Sequence, residues 1–567
     1  SGLARMRPER STGRVMAVSV AFLGVFALID ARLLQLGLRK EPPPTFKSSI
    51  EDTLAKPRPD ILDREGRVLA TDVMSWSIFA EPKRLVDKDE AVDQLATALP
   101  GVDSAALRRK FDGKKGFVWV ARKVTEKERA EVFHLGLPGI GFVREPKRVY
   151  PNGPIGAHVI GAVNTDNVGI AGLEEYIDRQ GLATLRDSGI KIRQADLKPL
   201  VTSLDLRATQ ALRDELEWGM RTFSPKAAGG AIVDVNTGEV LAMASLPDFD
   251  PNVPADALKK DNIDRIAVGT YEMGSTFKAM TLAMGLESGK FTLRSMVDAR
   301  HSLRYGRFTI HDFEAQHRML SYPEVFTFSS NIGAAHIALA AGVDAHQAFL
   351  RKMGQLTRLR TELPESASPI VPKHWSDLNT ITIAFGQGIN VTPLQALMAV
   401  CSIVNGGRIM PPTFLKVADP ATRTGTRVIS EATSEDMRYL MRMNAVKGSA
   451  RKANIPGYFV GGKTGTADKI VHGHYDHSKV FTTFMAAVPV DKPKYLFFVM
   501  YDQPQALKKD GGFHTSAYNS GRVAGRLIRR VLPLLGEPPL DAAPADPFPR
   551  IAASGYPLDP LALALTK

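Results

Sequence analysis

The sequence predicts an α+β fold: an antiparallel sheet flanked by helices, preceded by a second folded unit of mixed strands and helices and, at the N-terminus, by one membrane-spanning helix. Three observations carry this. Two apolar strand patterns come before a long series of helical patterns and three come after it, an order that suits an antiparallel sheet rather than alternating βαβ units. A chain of 567 residues is longer than one hydrophobic core usually serves. Four arginines, Arg5, Arg7, Arg10 and Arg14, stand directly before an uncharged run.

That run covers residues 15–29; Asp30 and Arg32 interrupt it and residues 33–38 continue it. Crossing a bilayer takes about 20 residues. Counting through Leu38 gives 24, with Arg32 able to reach the headgroups along its own stem. No small-x-small cleavage site follows, so residues 15–38 are expected to be an uncleaved anchor rather than a removed signal. The arginine cluster places a tail of residues 1–14 in the cytoplasm and the bulk of the chain on the other side. Residues 39–55 read as a linker stiffened by Glu41-Pro42-Pro43-Pro44.

Residues 56–224 form the first expected folded unit. Within it, residues 61–71 read as a hairpin turning at Glu65-Gly66, and residues 88–99 and 125–135 as amphipathic helices. The second unit, residues 225–536, opens with strands at 229–235 and 239–245 around the turn Asn236-Thr237-Gly238. Strands are expected again at 458–466, 480–490 and 495–501, with a closing helix over 520–535. Residues 537–567, rich in proline and alanine, read as a mostly disordered tail.

Composition narrows the function classes. The net charge is +13, yet there is no aromatic-and-basic RNA signature, zinc-finger spacing or helix-turn-helix signal, so nucleic acid is not an expected partner. The single cysteine, Cys401, excludes an intrachain disulfide and sits in an apolar stretch that reads as a buried helix.

The chemistry is concentrated in three short segments. In Ser275-Thr276-Phe277-Lys278 a serine and a lysine stand three residues apart, on one face of a helix, and the following residues 279–286 are apolar almost all round, as in a buried helix. Serine needs a base to become a nucleophile. A desolvated lysine has a lowered pKa and can be that base. Gly274 is expected to leave room for a substrate beside the serine. Ser-x-x-Lys also occurs at Ser188–Lys191 and Ser449–Lys452, but neither opens a long apolar helix, and both read as incidental. The second segment, Ser329-Ser330-Asn331, leads into a small-residue helix and alone would serve equally well as an N-cap. The third, Lys463-Thr464-Gly465-Thr466, is expected to end a strand entered through Gly461-Gly462. Together and in this order they match the pattern of penicillin-binding proteins and serine β-lactamases.

With these motifs the chain resembles a class B penicillin-binding protein, most nearly the septal, cell-division group called FtsI-type. Tyr271-Glu272-Met273-Gly274, Gly386-Gln387-Gly388 and Val391-Thr392-Pro393-Leu394-Gln395 extend the likeness around the serine. Asp63-Arg64-Glu65-Gly66, Arg148-x-Tyr150-Pro151, His158, Gly161 and Gly172-Leu173-Glu174 extend it through the first unit, with Pro59 departing from the glycine usual there. The resemblance implies a penicillin-binding/serine β-lactamase-like transpeptidase domain on an elongated pedestal. It implies that Ser275 is the nucleophile, Lys278 takes its proton, Ser329 relays protons to the leaving amine and Asn331 holds the substrate peptide. It further implies that Lys463 orients the serines, that Thr464, Gly465 and Thr466 line the substrate strand, and that the N–H groups of Ser275 and Thr466 form an oxyanion hole. No cofactor or metal is implied. The implied partners are peptidoglycan stem peptides and glycan derived from lipid-linked precursor, β-lactam antibiotics, the membrane, a membrane glycosyltransferase of the FtsW type and other division proteins.

Other features have plainer readings. His472, His474 and His477 invite a zinc reading, but a polar surface loop between two strands explains them as well. His311-Asp312 reads as a loop contact for want of a third partner. An elongation-type transpeptidase is the alternative function; Val163-Asn164-Thr165-Asp166-Asn167-Val168-Gly169 resembles the division group more. A β-lactamase or sensor would not need the first folded unit, and a non-enzymatic scaffold would not need the three motifs.

Overall fold

The structure, a computed structural model, describes residues 9–38, 54–182, 193–540 and 548. Arg5, Arg7, the spacer at 41–44, the Ser188–Lys191 pattern and most of the expected tail lie outside the described residues. The first helix, α1 (Glu9–Leu38), holds an 18-residue stretch, Met16–Leu33, long and apolar enough to cross a membrane. Its 30 residues give a helix of about 45 Å.

The unit that follows is built on a small sheet. Strand β1 (Ile61–Leu62) turns back into β2 (Val68–Ala80) at the expected hairpin, where Asp63 Oδ1 accepts from the amides of Glu65 (2.9 Å) and Arg67 (2.8 Å). An aspartate at the head of a turn commonly satisfies backbone donors in this way. Helices α2 (Lys88–Ala98) and α3 (Ser104–Asp112) lead to β3 (Val118–Val124), and α4 (Glu126–His134) to β4 (Ile140–Val149). Both β3 and β4 pair antiparallel with β2. Asp87 caps α2, and Thr125 and Glu128 close a capping box on α4, fixing the two helices near their expected starts. Ile78, Val92, Leu95, Leu107, Phe111 and Val132 form the core beneath them.

Short helix α5 (Gly172–Ile177) carries Glu174, whose fully buried carboxylate joins the separate motifs of this unit. It accepts from Arg58 Nε (2.7 Å), Arg148 Nε (2.7 Å) and the Tyr150 hydroxyl (3.0 Å), while Arg148 also donates to the Pro59 carbonyl (2.8 Å). Removing one partner of such a buried set typically costs about 3–5 kcal/mol, because the others are left charged and unpaired. Tyr150, Val159 and Leu173 belong to the same hydrophobic core as Met273 and Phe277, so the two folded units share packing. Strand β5 (Leu200–Val201) pairs parallel with β1 and leads the chain onward.

Residues 206–223, counted with the first unit, form helix α6 (Leu206–Phe223), which packs on the large sheet. Its buried stripe, including Ala208, Leu212, Leu216 and Phe223, faces β6 (Ala227–Asp234) and β7 (Val240–Leu246). On the other side of the sheet lie α7 (Lys278–Glu287), α8 (Asn331–Ala341), α9 (Pro393–Val404) and α10 (Glu431–Lys447). Cys401 is buried in α9, as expected. Strands β8 (Gly461–Val471), β9 (His474–Val488) and β10 (Tyr495–Asp502) complete the sheet, and α11 (Ser520–Leu534) packs beside α6. The order is β8-β9-β10-β6-β7 with every pair antiparallel. Along β10, Leu496, Phe498 and Met500 enter the core beneath α7–α10, and Phe497, Val499 and Tyr501 the core beneath α6 and α11. This is the two-residue period of a strand buried on both faces.

Three expectations change. Residues 471–478 are not a surface loop. Strands β8 and β9 run on as a hairpin to a tight turn at His472 (φ 50°) and Gly473 (φ 83°), the backbone signs of a two-residue hairpin turn. Lys463-Thr464-Gly465-Thr466 therefore opens β8 rather than ending it. The described residues of the segment read as tail make contacts: Leu540 N donates to Gly457 O (3.0 Å), Lys494 pairs with Glu537, and the Phe548 ring lies against Tyr439.

Candidate active site

Ser275 sits on a single 3-10 turn, Gly274–Phe277, and α7 begins only at Lys278. The expected helix phasing survives because residues i and i+3 eclipse in a 3-10 turn. Lys278 Nζ lies 2.9 Å from Ser275 Oγ. Gly274 (φ 59°) does not open space for a substrate: a Cβ there would stand 2.9 Å from Thr466 O, so the missing side chain lets the turn press on β8. Gly465 works from the other side, where a Cβ would meet Thr483 Oγ1 at 2.3 Å and Met273 O at 2.8 Å. The two glycines bring Ser275 and the start of β8 together.

Ser329 and Asn331 arrive from the N-terminus of α8. Lys278 Nζ lies 3.1 Å from Ser329 Oγ, 2.5 Å from Ser329 O and 2.7 Å from Asn331 Oδ1. Ser329 holds φ 54°, a left-handed conformation that costs a non-glycine residue about 1 kcal/mol or more. Lys463 Nζ donates to Ser329 Oγ (2.9 Å) and Thr464 O (3.0 Å). Three sequence segments thus converge on one pair of serine hydroxyls.

Both lysines are fully buried. Burial pushes the Lys463 ammonium down to about 7. Lys278 is pushed well below the usual lysine range, first by burial and then by the charge of Lys463, with Asp312 acting in the opposite direction. A neutral Lys278 has two N–H donors and one lone pair. The donors match two acceptor-only oxygens, Ser329 O and Asn331 Oδ1, and the lone pair is left for the Ser275 hydroxyl.

The other expected residues have partners of their own. Thr464 Oγ1 lies 2.6 Å from Ser449 Oγ, and Thr466 Oγ1 accepts from Ser516 N (3.1 Å). Ser449, read as incidental, therefore touches the site, whereas Lys452 points elsewhere, over the Tyr518 ring. Glu272 accepts from Gly388 N (2.7 Å) and the Tyr475 hydroxyl (3.2 Å), tying the hairpin arm to the 386–388 segment. Tyr271 stacks on Phe481 at 4.4 Å. His311-Asp312, read as a loop contact, lies against the Ser-Ser-Asn segment: Asn331 Nδ2 donates to His311 O (3.1 Å) and Ser330 Oγ to Asp312 Oδ2 (2.7 Å). Along the arm, His477 Nδ1 pairs with Asp468 (2.6 Å). Among the described residues no group of three histidine, cysteine or acidic side chains could hold a metal ion.

A family model for the penicillin binding protein transpeptidase domain matches residues 228–531, and one for the penicillin-binding protein dimerisation domain matches residues 53–182. The "Probable peptidoglycan D,D-transpeptidase FtsI" of Caulobacter vibrioides is 37% identical over 488 residues, covering 84% of this chain and 81% of its own. The "Peptidoglycan D,D-transpeptidase FtsI" of Escherichia coli K12 is 32% identical, covering 83% of each chain. A solved structure of the apo TP domain of penicillin-binding protein 3 from Burkholderia pseudomallei superposes with a TM-score of 0.54 at 28% identity, covering 60% of this chain and 97% of that one.

Proposed function

The chain belongs to the class B penicillin-binding proteins, and on that footing we propose that it is a septal peptidoglycan D,D-transpeptidase working through an acyl-enzyme on Ser275. The observation that carries the reading is the buried Lys278 amine, held against Ser275 Oγ, Ser329 and Asn331 at once. In the first step neutral Lys278 takes the Ser275 proton as Oγ attacks the penultimate D-Ala carbonyl of a stem peptide. The N–H groups of Ser275 and Thr466 receive the oxyanion, each donor worth about 3 kcal/mol of barrier. Ser329, between Lys278 and Lys463, passes a proton to the departing D-Ala amine as the C–N bond breaks. In the second step an amine of a neighbouring stem attacks the ester carbonyl, the C–Oγ bond breaks, and Ser275 regains a proton through Lys278. Asn331 holds the donor peptide, and Thr464 and Thr466 take its carboxylate and backbone. A β-lactam acylates Ser275 in the same way, but its leaving amine stays tethered, so the ester persists.

The proposal extends to place and partners. With α1 as anchor, Arg10 and Arg14 on the cytoplasmic side and the catalytic domain outside, the protein acts at the division septum. A fluorescent fusion concentrating at midcell during division is the expected result; uniform side-wall signal would favour elongation instead. The first folded unit is matched by the dimerisation-domain model, and no second catalytic set is evident there among the described residues. The protein therefore crosslinks without polymerising and depends on a membrane glycosyltransferase of the FtsW type within the division machinery. Purified protein given lipid-linked disaccharide-pentapeptide should make no glycan alone. It should make crosslinked glycan once the glycosyltransferase is added. Polymer formed by the protein alone would refute the monofunctional reading.

A further inference from the structure

An exposed hairpin, Leu303–Tyr305 paired with Phe308–Ile310, returns into His311-Asp312 and stops against the start of α8. The Asp312 carboxylate has two partners there. Oδ2 accepts from Ser330 Oγ (2.7 Å) and Oδ1 from Ile332 N (2.9 Å). These partners flank Asn331 on either side. Ser330 Oγ also accepts from Gly333 N (2.9 Å) as the cap of α8, so its hydroxyl donates to Asp312 and accepts from the helix. The neighbouring His311 carbonyl takes one Asn331 amide N–H (3.1 Å), which leaves Asn331 Oδ1 aimed at Lys278.

Ser329, next in line, stands in a left-handed conformation that serine does not favour, and such a conformation persists only where its surroundings over-determine it. We infer that Asp312 is a positioning residue for acyl transfer: by clamping Ser330 and the Ile332 amide it locks strained Ser329 and adjacent Asn331 against Lys278. The inference rests on the roles assigned above to Ser275, Lys278, Ser329 and Asn331. Asp312 has no hydrogen bond to Ser275 or Lys278 and acts through the segment it holds. Its charge also opposes the effect of Lys463 on the Lys278 amine.

A residue that merely capped α8 would lower stability when removed and leave the chemical step alone. The test separates the two. Stopped-flow acylation of the full chain by a fluorescent penicillin gives the first-order acylation constant and the dissociation constant of the encounter complex for wild type, D312A and D312N. D312A should lower the first-order constant by about tenfold or more while changing the dissociation constant by less than about threefold, as expected when reacting groups are slightly misplaced. D312N keeps the shape and an acceptor oxygen for the Ile332 amide, and its NH2 can donate to the second lone pair of Ser330 Oγ, so both arms of the clamp remain and the rate should recover to within about threefold of wild type. If D312A lacks a cooperative melting transition, D312E, which pushes the carboxylate about one methylene too far, takes its place with the same tenfold expectation. D312A acylating within about threefold of wild type would overturn the inference. So would D312N as slow as D312A, which would assign the effect to charge rather than to the clamp. Wild type that fails to label at all would refute the Ser275 assignment instead.

Discussion

Ser275→Ala should abolish covalent labelling by penicillin, with a loss of at least about a thousandfold in acylation rate and no loss of fold. Among the described serines, Ser275 and Ser329 are those with Lys278 Nζ within hydrogen-bond distance, at 2.9 Å and 3.1 Å. Ser329 also receives the Lys463 ammonium, which suits a relay rather than an attacking group. Deleting one half-buried hydroxyl leaves Lys278 its contacts to Ser329 and Asn331, so the core beneath α7 stands. Ser188→Ala and Ser449→Ala should both retain the label. Ser449 touches Thr464, but its pattern-mate Lys452 lies over Tyr518 and cannot activate it. Gel fluorescence after incubation with a fluorescent penicillin reads the outcome, and stoichiometric labelling of Ser275→Ala would remove the serine from its role.

Lys278→Arg should lose acylation almost as completely, although it keeps a positive side chain. The role assigned to Lys278 needs a lone pair, and burial, by depressing its pKa, makes one more available than on an ordinary lysine. Arginine stays protonated at any usable pH. Its planar fork would also have to fit a fully buried slot facing Lys463. The sign of the pH dependence follows. Acylation by wild type should fall as pH drops through the Lys278 pKa, because the protonated amine cannot accept the Ser275 proton. Lys278→Arg should be slow, by about a thousandfold or more, at every pH between 6 and 9. A rate within about tenfold of wild type would make Lys278 a structural cation only.

Much of this was legible because the chemistry is carried by short segments that each sit at the start of an element. Ser275 and Lys278 share a face whether the turn is α or 3-10, so the wrong helix type did not change the pairing. The sheet was legible where its strands are buried, as in β6, β7 and β10. The hairpin arm of β8 and β9 was missed because it is exposed on both faces, with Ile470 and Tyr475 in solvent, and so lacks a buried apolar period. Its His472-Gly473 turn was the available signal. Residues 206–223 were counted with the first unit, and the apolar stripe of α6 does not say which surface it covers. The particular contacts of Ser449, Asp312 and Glu272 were not legible for a different reason. Their partners, Thr464, Ser330 and Gly388, are brought close by tertiary packing, and no local spacing records that.

Ser275 is expected to carry the donor peptide between cleavage and crosslinking. Intact-protein and peptide mass spectrometry of the enzyme mixed with a D-Ala-D-Ala-terminated stem peptide tests it directly. An adduct equal in mass to the donor less one D-Ala, on the peptide containing Ser275 and discharged as a crosslinked product when an acceptor amine is added, is the expected result. An adduct on any other residue, or one that discharges only to hydrolysed donor in the presence of acceptor, would contradict it.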